Sequence, residues 1–294
     1  MDSLKRAISD KYGMSLIFID VSKTASLLEQ RHLNGPATAE ILGQSVVSAA
    51  LISSGLKGRG ERITFQLKVD GPINGIIVEA GYEGYVRGYT DVKLLDNVDG
   101  KADIKESEIL GNTGTLNVIR SDERGIIYSG QVNISPPNIR TVTARYLNRS
   151  EQVPTGVEIF SKMQDFRIEK MRGLMVRKLP DADTEKFVHV LEEFEKGRVK
   201  ELLGGAEEIA AFAELFKMED LEILEEKEMT FRCRCNYKKS LTIINSLEAV
   251  ELEEMIKKKE PQQVTCHFCG ETYNIKWEDL QSVLLDKADT SRPI

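Results

Sequence analysis

The chain has 294 residues and only four cysteines: Cys233, Cys235, Cys266 and Cys269. They form Cys233-Arg-Cys235, thirty intervening residues, then Cys266-His-Phe-Cys269-Gly270. Two close pairs of thiolates suit tetrahedral Cys₄ zinc ligation, each pair supplying one edge of the tetrahedron. Gly270 suits the tight turn of a zinc knuckle. One zinc ion per chain is therefore expected. His267 sits between two of the cysteines and is expected to point away. His32 and His189 are isolated in sequence, so core or surface roles are expected for both.

The first pair is one residue shorter than the usual C-x₂₋₄-C. Arg232, Arg234, Lys238 and Lys239 surround it and favour thiolate, the form that reacts with oxidants. Each pair can in principle close into a local disulfide, although the C-x-C ring is geometrically tight. Oxidation consumes the metal ligands, so redox state and folding become linked. The tail is too small to rely on a core alone. Structural zinc contributes about 10–16 kcal/mol in zinc-finger peptides, so removing it is expected to unfold the tail.

Hydrophobic residues make up 41% and charged residues 30% of the chain, which reads as an ordinary globular protein. A net charge of −7 gives no basic footprint for nucleic acid. Met1 to Ala7 is charged and lacks an apolar run, so no secretory signal is expected. The least polar stretch, Ala37 to Leu56, carries Glu40, Gln44 and several serines, and reads as a buried helix rather than a membrane span. Cysteines clustered in the tail of a long acidic chain point to metal or redox chemistry in a reducing compartment, hence the cytoplasm.

The elements that position the cysteines read as α+β. A mixed α/β core domain with antiparallel strands is expected over residues 1–180. An acidic helical linker follows over 181–230, then a small zinc-binding domain over 231–294. Ser15 to Val21 is a short apolar strand candidate. Pro36 opens a long helix, and Gly55, Gly58 and Gly60 end it. The glycine-rich Gly55–Gly60 segment follows a helix and precedes a strand, so it is a turn rather than a phosphate loop. Ile63–Val69, Ile73–Glu79 and Tyr85–Tyr89 read as a meander, with further strands at Thr115–Ile119, Ile126–Ile134 and Asp165–Lys170. From Thr184 to Thr230 there are 14 acidic against 6 basic residues. Phe187, Val190, Leu191 and Phe194 fall on one helical stripe, and Ile209, Phe212, Ala213 and Phe216 on a second. Such carboxylate-rich helices repel internally and depend on docking those stripes.

These residues resemble the redox-regulated 33 kDa heat-shock chaperone family. The likeness rests on Phe231 to Cys235, Leu247 with Glu251 to Met255, and Val264 to Tyr273. In the first half it rests on Arg31-His32, Leu42-Gly43-Gln44, Gly55-Leu-Lys57, Asp70-Gly-Pro72, Val86 to Tyr89, Gly114 to Leu116, Tyr128 to Val132 and Ser150-Glu-Gln152. The chain departs from the family pattern at Asn236, where serine is usual, and at Thr143-Ala-Arg145, where an acidic Asp-Leu pair is usual. It also lacks a Gly-Gly between Phe160 and Lys178. The resemblance implies an ATP-independent holdase and no enzyme activity. Residues 1–180 would bind clients, and the reduced, zinc-bound form would be inactive. Oxidation would form two disulfides, release zinc, unfold the linker and expose a surface for unfolding proteins, commonly with homodimerisation. Cys233–Cys235 and Cys266–Cys269 are the expected bridges. Neither nucleic acid nor membrane is an expected partner.

Two other readings compete. A zinc-ribbon nucleic-acid module is supported by the basic residues around Cys233 and by Lys257 to Lys259, and opposed by the acidic linker. A dithiol oxidoreductase needs its C-x-x-C at a strand-to-helix junction of a βαβ fold, a context absent around Cys266.

Overall fold

The structure is a computed structural model and describes residues 1–101, 104–180, 182–206, 208–259 and 262–290. Asp181, where the linker is expected to start, and residues 291–294 of the expected zinc domain lie outside these. The chain forms two compact units, Met1–Arg232 and Cys233–Ile294.

The larger unit opens with the hairpin β1 (Ser3–Ser9) and β2 (Met14–Asp20), then helices α1 (Ser22–His32) and α2 (Pro36–Ser53). The meander β3 (Arg62–Val69), β4 (Gly75–Gly81) and β5 (Tyr85–Thr90) precedes the short α3 (Glu106–Leu110) and the hairpin β6 (Gly114–Ser121) and β7 (Ile126–Ile134). Helix α4 (Ile139–Ser150) leads into the long hairpin β8 (Thr155–Gln164) and β9 (Arg167–Lys178). Helices α5 (Thr184–Glu195), α6 (Arg198–Gly205) and α7 (Ala210–Phe216) and strands β10 (Glu222–Glu228) and β11 (Thr230–Phe231) complete the unit. One sheet has the order β10-β1-β2-β9-β8 and is antiparallel; the other runs β11-β5-β4-β3-β6-β7, with only the β11–β5 pair parallel.

Helix α2 is the centre of this unit. Gly35 is its extended N-cap with Pro36 at the first turn, and every residue from Ala37 to Ser53 except Glu40 is buried. Its small side chains allow close packing, and a Cβ at Gly173 on β9 would lie 2.4 Å from Val47. Ser45 and Ser48 donate back to the carbonyls of Ile41 and Gln44 at 2.8 and 3.0 Å. Among the described residues no helix is long and apolar enough to cross a membrane. The turn Gly55–Gly60 joins α2 to β3, as its composition implies.

The five-stranded sheet carries buried apolar residues on both faces. Ile17, Ile19, Met171 and Met175 face the core shared with α2 and the six-stranded sheet. Leu16, Phe18, Leu174 and Val176 face the other way, onto α5 to α7. Alternation along β2 and β9 therefore serves two cores, and both strands read as near-continuous apolar runs. The acidic segment after Asp183 is not helical throughout. Glu222–Glu228 is a strand that extends this sheet by antiparallel pairing with β1.

The smaller unit contains α8 (Tyr237–Ile244), α9 (Ala249–Lys258), the hairpin β12 (Gln262–Thr265) and β13 (Thr272–Ile275), and α10 (Trp277–Thr290). Its core is Ile244, Leu252, Ile275 and Leu280, with partly buried neighbours such as Leu241, Val264 and Tyr273. Four buried large side chains are few for a unit of this length, and units this small generally need a metal or disulfide staple.

Candidate metal centre

Cys233 and Cys235 occupy the extended segment just before α8. Asn236 is that helix's N-cap, its Oδ1 accepting from the Lys239 amide at 2.9 Å. Serine caps helices the same way, so this departure from the family pattern preserves the local geometry. Cys266 and Cys269 lie in the turn joining β12 to β13. The Cys266 amide donates to the Glu271 carbonyl, and the Gly270 amide donates to the Cys266 carbonyl, each at 2.8 Å. Gly270 has φ +72°, a left-handed conformation that glycine adopts without strain.

The four Sγ atoms lie within 4.8 Å of one another. Cys233 Sγ is 3.7 Å from Cys266 Sγ, and Cys235 Sγ is 3.3 Å from Cys269 Sγ. A zinc–sulfur bond of about 2.3 Å sets tetrahedral edges of roughly 3.8 Å, so the residues fit a Cys₄-bound zinc ion. Among the described residues this is the only such cluster of possible ligands. The Tyr273 hydroxyl donates to Cys235 Sγ at 3.2 Å. Burial pushes the Cys266 and Cys269 thiols above the ordinary thiol range, and the Cys233 sulfur pushes both the same way. Burial and the crowding of like charges oppose the free thiolates, and a bound cation offsets both.

His267 is exposed and outside the cluster, His32 is buried in α1, and His189 is half-buried on α5. Cys266 and Cys269 sit in a β-hairpin turn, not at the strand-to-helix junction that a thioredoxin-type dithiol requires. The linker face is assembled elsewhere, in the larger unit. Phe187, Val190 and Phe194 are buried against the outer face of the five-stranded sheet, and the half-buried Leu191 packs on the same cluster. The second stripe joins them, with Ile209, Phe212 and Phe216 fully buried and Ala213 partly so. Thr143 lies in the core, where its Oγ1 is 2.8 Å from both the Ser48 hydroxyl and the Ile139 carbonyl. This residue ties α4 to α2. In the sequence Tyr273 stands out only as the end of the Val264 to Tyr273 motif, and its contact with Cys235 carries no pattern of its own.

Residues 2–276 match the family model described as Hsp33 protein. The 33 kDa chaperonin of Prochlorococcus marinus strain MIT 9301 is 32% identical, with 96% of this chain and 98% of that protein covered. The 33 kDa chaperonin of Gloeothece citriformis is 30% identical, with 97% of each covered. A crystal structure of a 33 kDa chaperonin, the heat shock protein 33 homologue of Thermotoga maritima, superposes with a TM-score of 0.85. It is 23% identical in sequence, and the match covers 98% of this chain and 99% of that one.

Proposed function

This chain belongs to the Hsp33 family, whose members are chaperones rather than enzymes, and from that membership we propose that its chaperone function is switched by thiol oxidation. The observation that carries the reading is the gathering of every cysteine of the chain into one cluster within 4.8 Å. That cluster lies in a unit with a core of four buried large side chains.

In the reduced state Cys233, Cys235, Cys266 and Cys269 would hold one zinc ion and so tie the segment before α8 to the β12–β13 turn. When bound, zinc would supply the thiolate bonds that hold this unit folded. Peroxide then oxidises the thiolates: each pair gives up two electrons to form one disulfide, and one peroxide takes up those electrons with two protons from solvent to become two waters. Cys233–Cys235 and Cys266–Cys269 are the proposed bridges, because neighbours in sequence meet at the highest effective concentration once the cluster opens. The disulfide sulfurs no longer serve as anionic ligands, and the tail loses its fold.

The acidic segment 181–230 then leaves the five-stranded sheet and uncovers Leu16, Phe18, Leu174 and Val176. Residues 1–180 hold unfolding proteins on that apolar surface without ATP, as a homodimer. Low-stability elements held by a neighbour suit such a switch. The proposed setting is a reducing cytoplasm that turns oxidising under stress.

The test pairs metal analysis with light scattering of a heat-unfolded client, before and after warm peroxide treatment. The expected result is one zinc per chain and no suppression when reduced, then no zinc and full suppression after oxidation. Full zinc retention after complete loss of free thiols would sink the switch.

A further inference from the structure

The surface beneath the linker is not uniformly apolar. On the outer face of the five-stranded sheet, β1 presents Lys5 and Ala7, β2 presents Asp20, Phe18 and Leu16, and β9 presents Arg172, Leu174 and Val176. Lys5 lies opposite Phe18, Asp20 opposite Arg172, and Phe18 opposite Leu174. One end of the face is therefore ionic and the other apolar.

At the ionic end the linker supplies the partners. The Lys5 side chain is 9% exposed, and both its carboxylates come from the linker: Glu208, which accepts from its ammonium, and Glu226 of β10 at 3.5 Å. Lys170 Nζ donates to the Gly204 carbonyl at 2.6 Å. Arg172 donates through Nε to Asp20 at 2.7 Å and through Nη1 to the Ala206 carbonyl at 2.6 Å. Asp20, Arg172, Lys5, Glu208 and Glu226 line one cavity of about 520 Å³. Once the linker departs, Arg172 keeps Asp20, whereas Lys5 and Lys170 keep no partner among the described residues. With the linker gone both ammonium groups face solvent beside the apolar Phe18–Leu174 end, placed to pair with carboxylates of whatever next covers that face.

Resting on the holdase reading above, we propose that this face selects client segments carrying carboxylates beside an apolar stripe. The linker is the template for that chemistry. Its apolar stripe occupies the Phe18–Leu174 end, while Glu208 and Glu226 occupy the Lys5 end. Charge complementarity thus singles out acidic amphipathic segments over basic or merely apolar ones.

The test uses the oxidised full-length protein and three labelled peptides of linker sequence 184–228: native, with every Asp and Glu replaced by Asn and Gln, and with each replaced by Lys. Fluorescence anisotropy should show the native peptide binding at least about tenfold more tightly than the amide peptide, with the gap narrowing as salt screens the contacts. The lysine peptide should bind weakest. Lys5→Met combined with Lys170→Met should bring native and amide peptides together, whereas Lys5→Arg with Lys170→Arg should restore the gap. Equal binding of all three peptides, or an unchanged gap in the double methionine variant, overturns the proposal. Light scattering on the same preparation separates the two readings. Suppression of aggregation without charge preference removes only this inference, and absence of both suppression and peptide binding removes the holdase reading with it.

Discussion

The hydrogen bond from Tyr273 to Cys235 Sγ, at 3.2 Å, puts one aromatic residue in two roles. Its ring packs on the small core of the Cys233–Ile294 unit, while its hydroxyl donates to a sulfur of the cysteine cluster. Groups that donate to metal ligands typically contribute 10–100-fold in affinity. Tyr273→Phe keeps the ring and removes only the donor. It should therefore leave the helical content unchanged while lowering zinc affinity by about tenfold or more, measured by competition with a chromogenic chelator. Peroxide should also release zinc sooner from this variant than from the parent. Unchanged affinity would place the hydroxyl outside the metal site's support. Asn236 invites a gentler comparison. Its cap is worth about 1 kcal/mol relative to alanine, so Asn236→Ser should be nearly silent. Asn236→Ala should bring tail unfolding to a lower chelator concentration. The four cysteines were legible from spacing alone, because their chemistry depends on clustered type. The Tyr273 contact was not, since a tyrosine that donates to sulfur looks the same in sequence as one that merely packs.

At the scale of elements, the proposed control would pass through helix α5. Val190 is fully buried on the outer sheet face, and Leu191 packs beside it near Gly156 of β8. Burial of each large apolar side chain contributes about 1.5–3 kcal/mol, and it must offset the repulsion among the surrounding carboxylates. Val190→Asp removes that burial and adds the desolvation of a charge. The variant should suppress client aggregation while still reduced and zinc-loaded, and hydrogen exchange should show α5 open. An open α5 in a protein as inactive as the parent would move control from the linker to the zinc unit. Much of this layer is readable in the sequence. The stripe of Phe187, Val190, Leu191 and Phe194 announces a docked helix, and Pro36 with the small-residue run announces α2. Strand β1 is not readable, because Lys5 and Arg6 interrupt its apolar positions and make sense only against the acidic β10. Strand β10 is hidden for the reciprocal reason. Glu222 to Glu228 looks like one more acidic helix until Arg6 meets Glu225 and Lys5 meets Glu226 across the pair. Helix α4 escaped notice because its buried face, Ile139, Val142, Thr143, Tyr146 and Leu147, is interleaved with polar residues.

For the molecule as a whole, the proposed switch implies an order of opening set by unequal stability along the chain. The six-stranded sheet and α2 share a large core, with Phe65, Leu67, Val78 and Val118 almost fully buried. The outer layer α5 to α7 depends on one face of one sheet. The unit after Arg232 depends on a small core and its cysteine cluster. Just before Cys233 the chain is held by β11. There the Thr230 amide donates to the Gly84 carbonyl at 2.9 Å, and the Arg232 amide donates to the Val86 carbonyl at 3.2 Å. The Arg31 guanidinium lies 4.9 Å from the Phe231 ring centre and adds a cation–π contact of about 0.5–2 kcal/mol. Such a short strand is a weak clasp, and a collapsing tail removes the ordered chain that follows it. Hydrogen exchange after a zinc chelator is added to the reduced protein should therefore proceed in three steps. Amides of α8 to α10 and the β12–β13 hairpin should lose protection first. Those of β11 and α5 to α7 should follow, with β3, β4 and β6 remaining protected throughout. Arg31→Met should bring the second step closer to the first without altering zinc content. Simultaneous loss of protection in all three groups would mean that the chain opens as one cooperative body. In that case no separable linker step exists to be regulated.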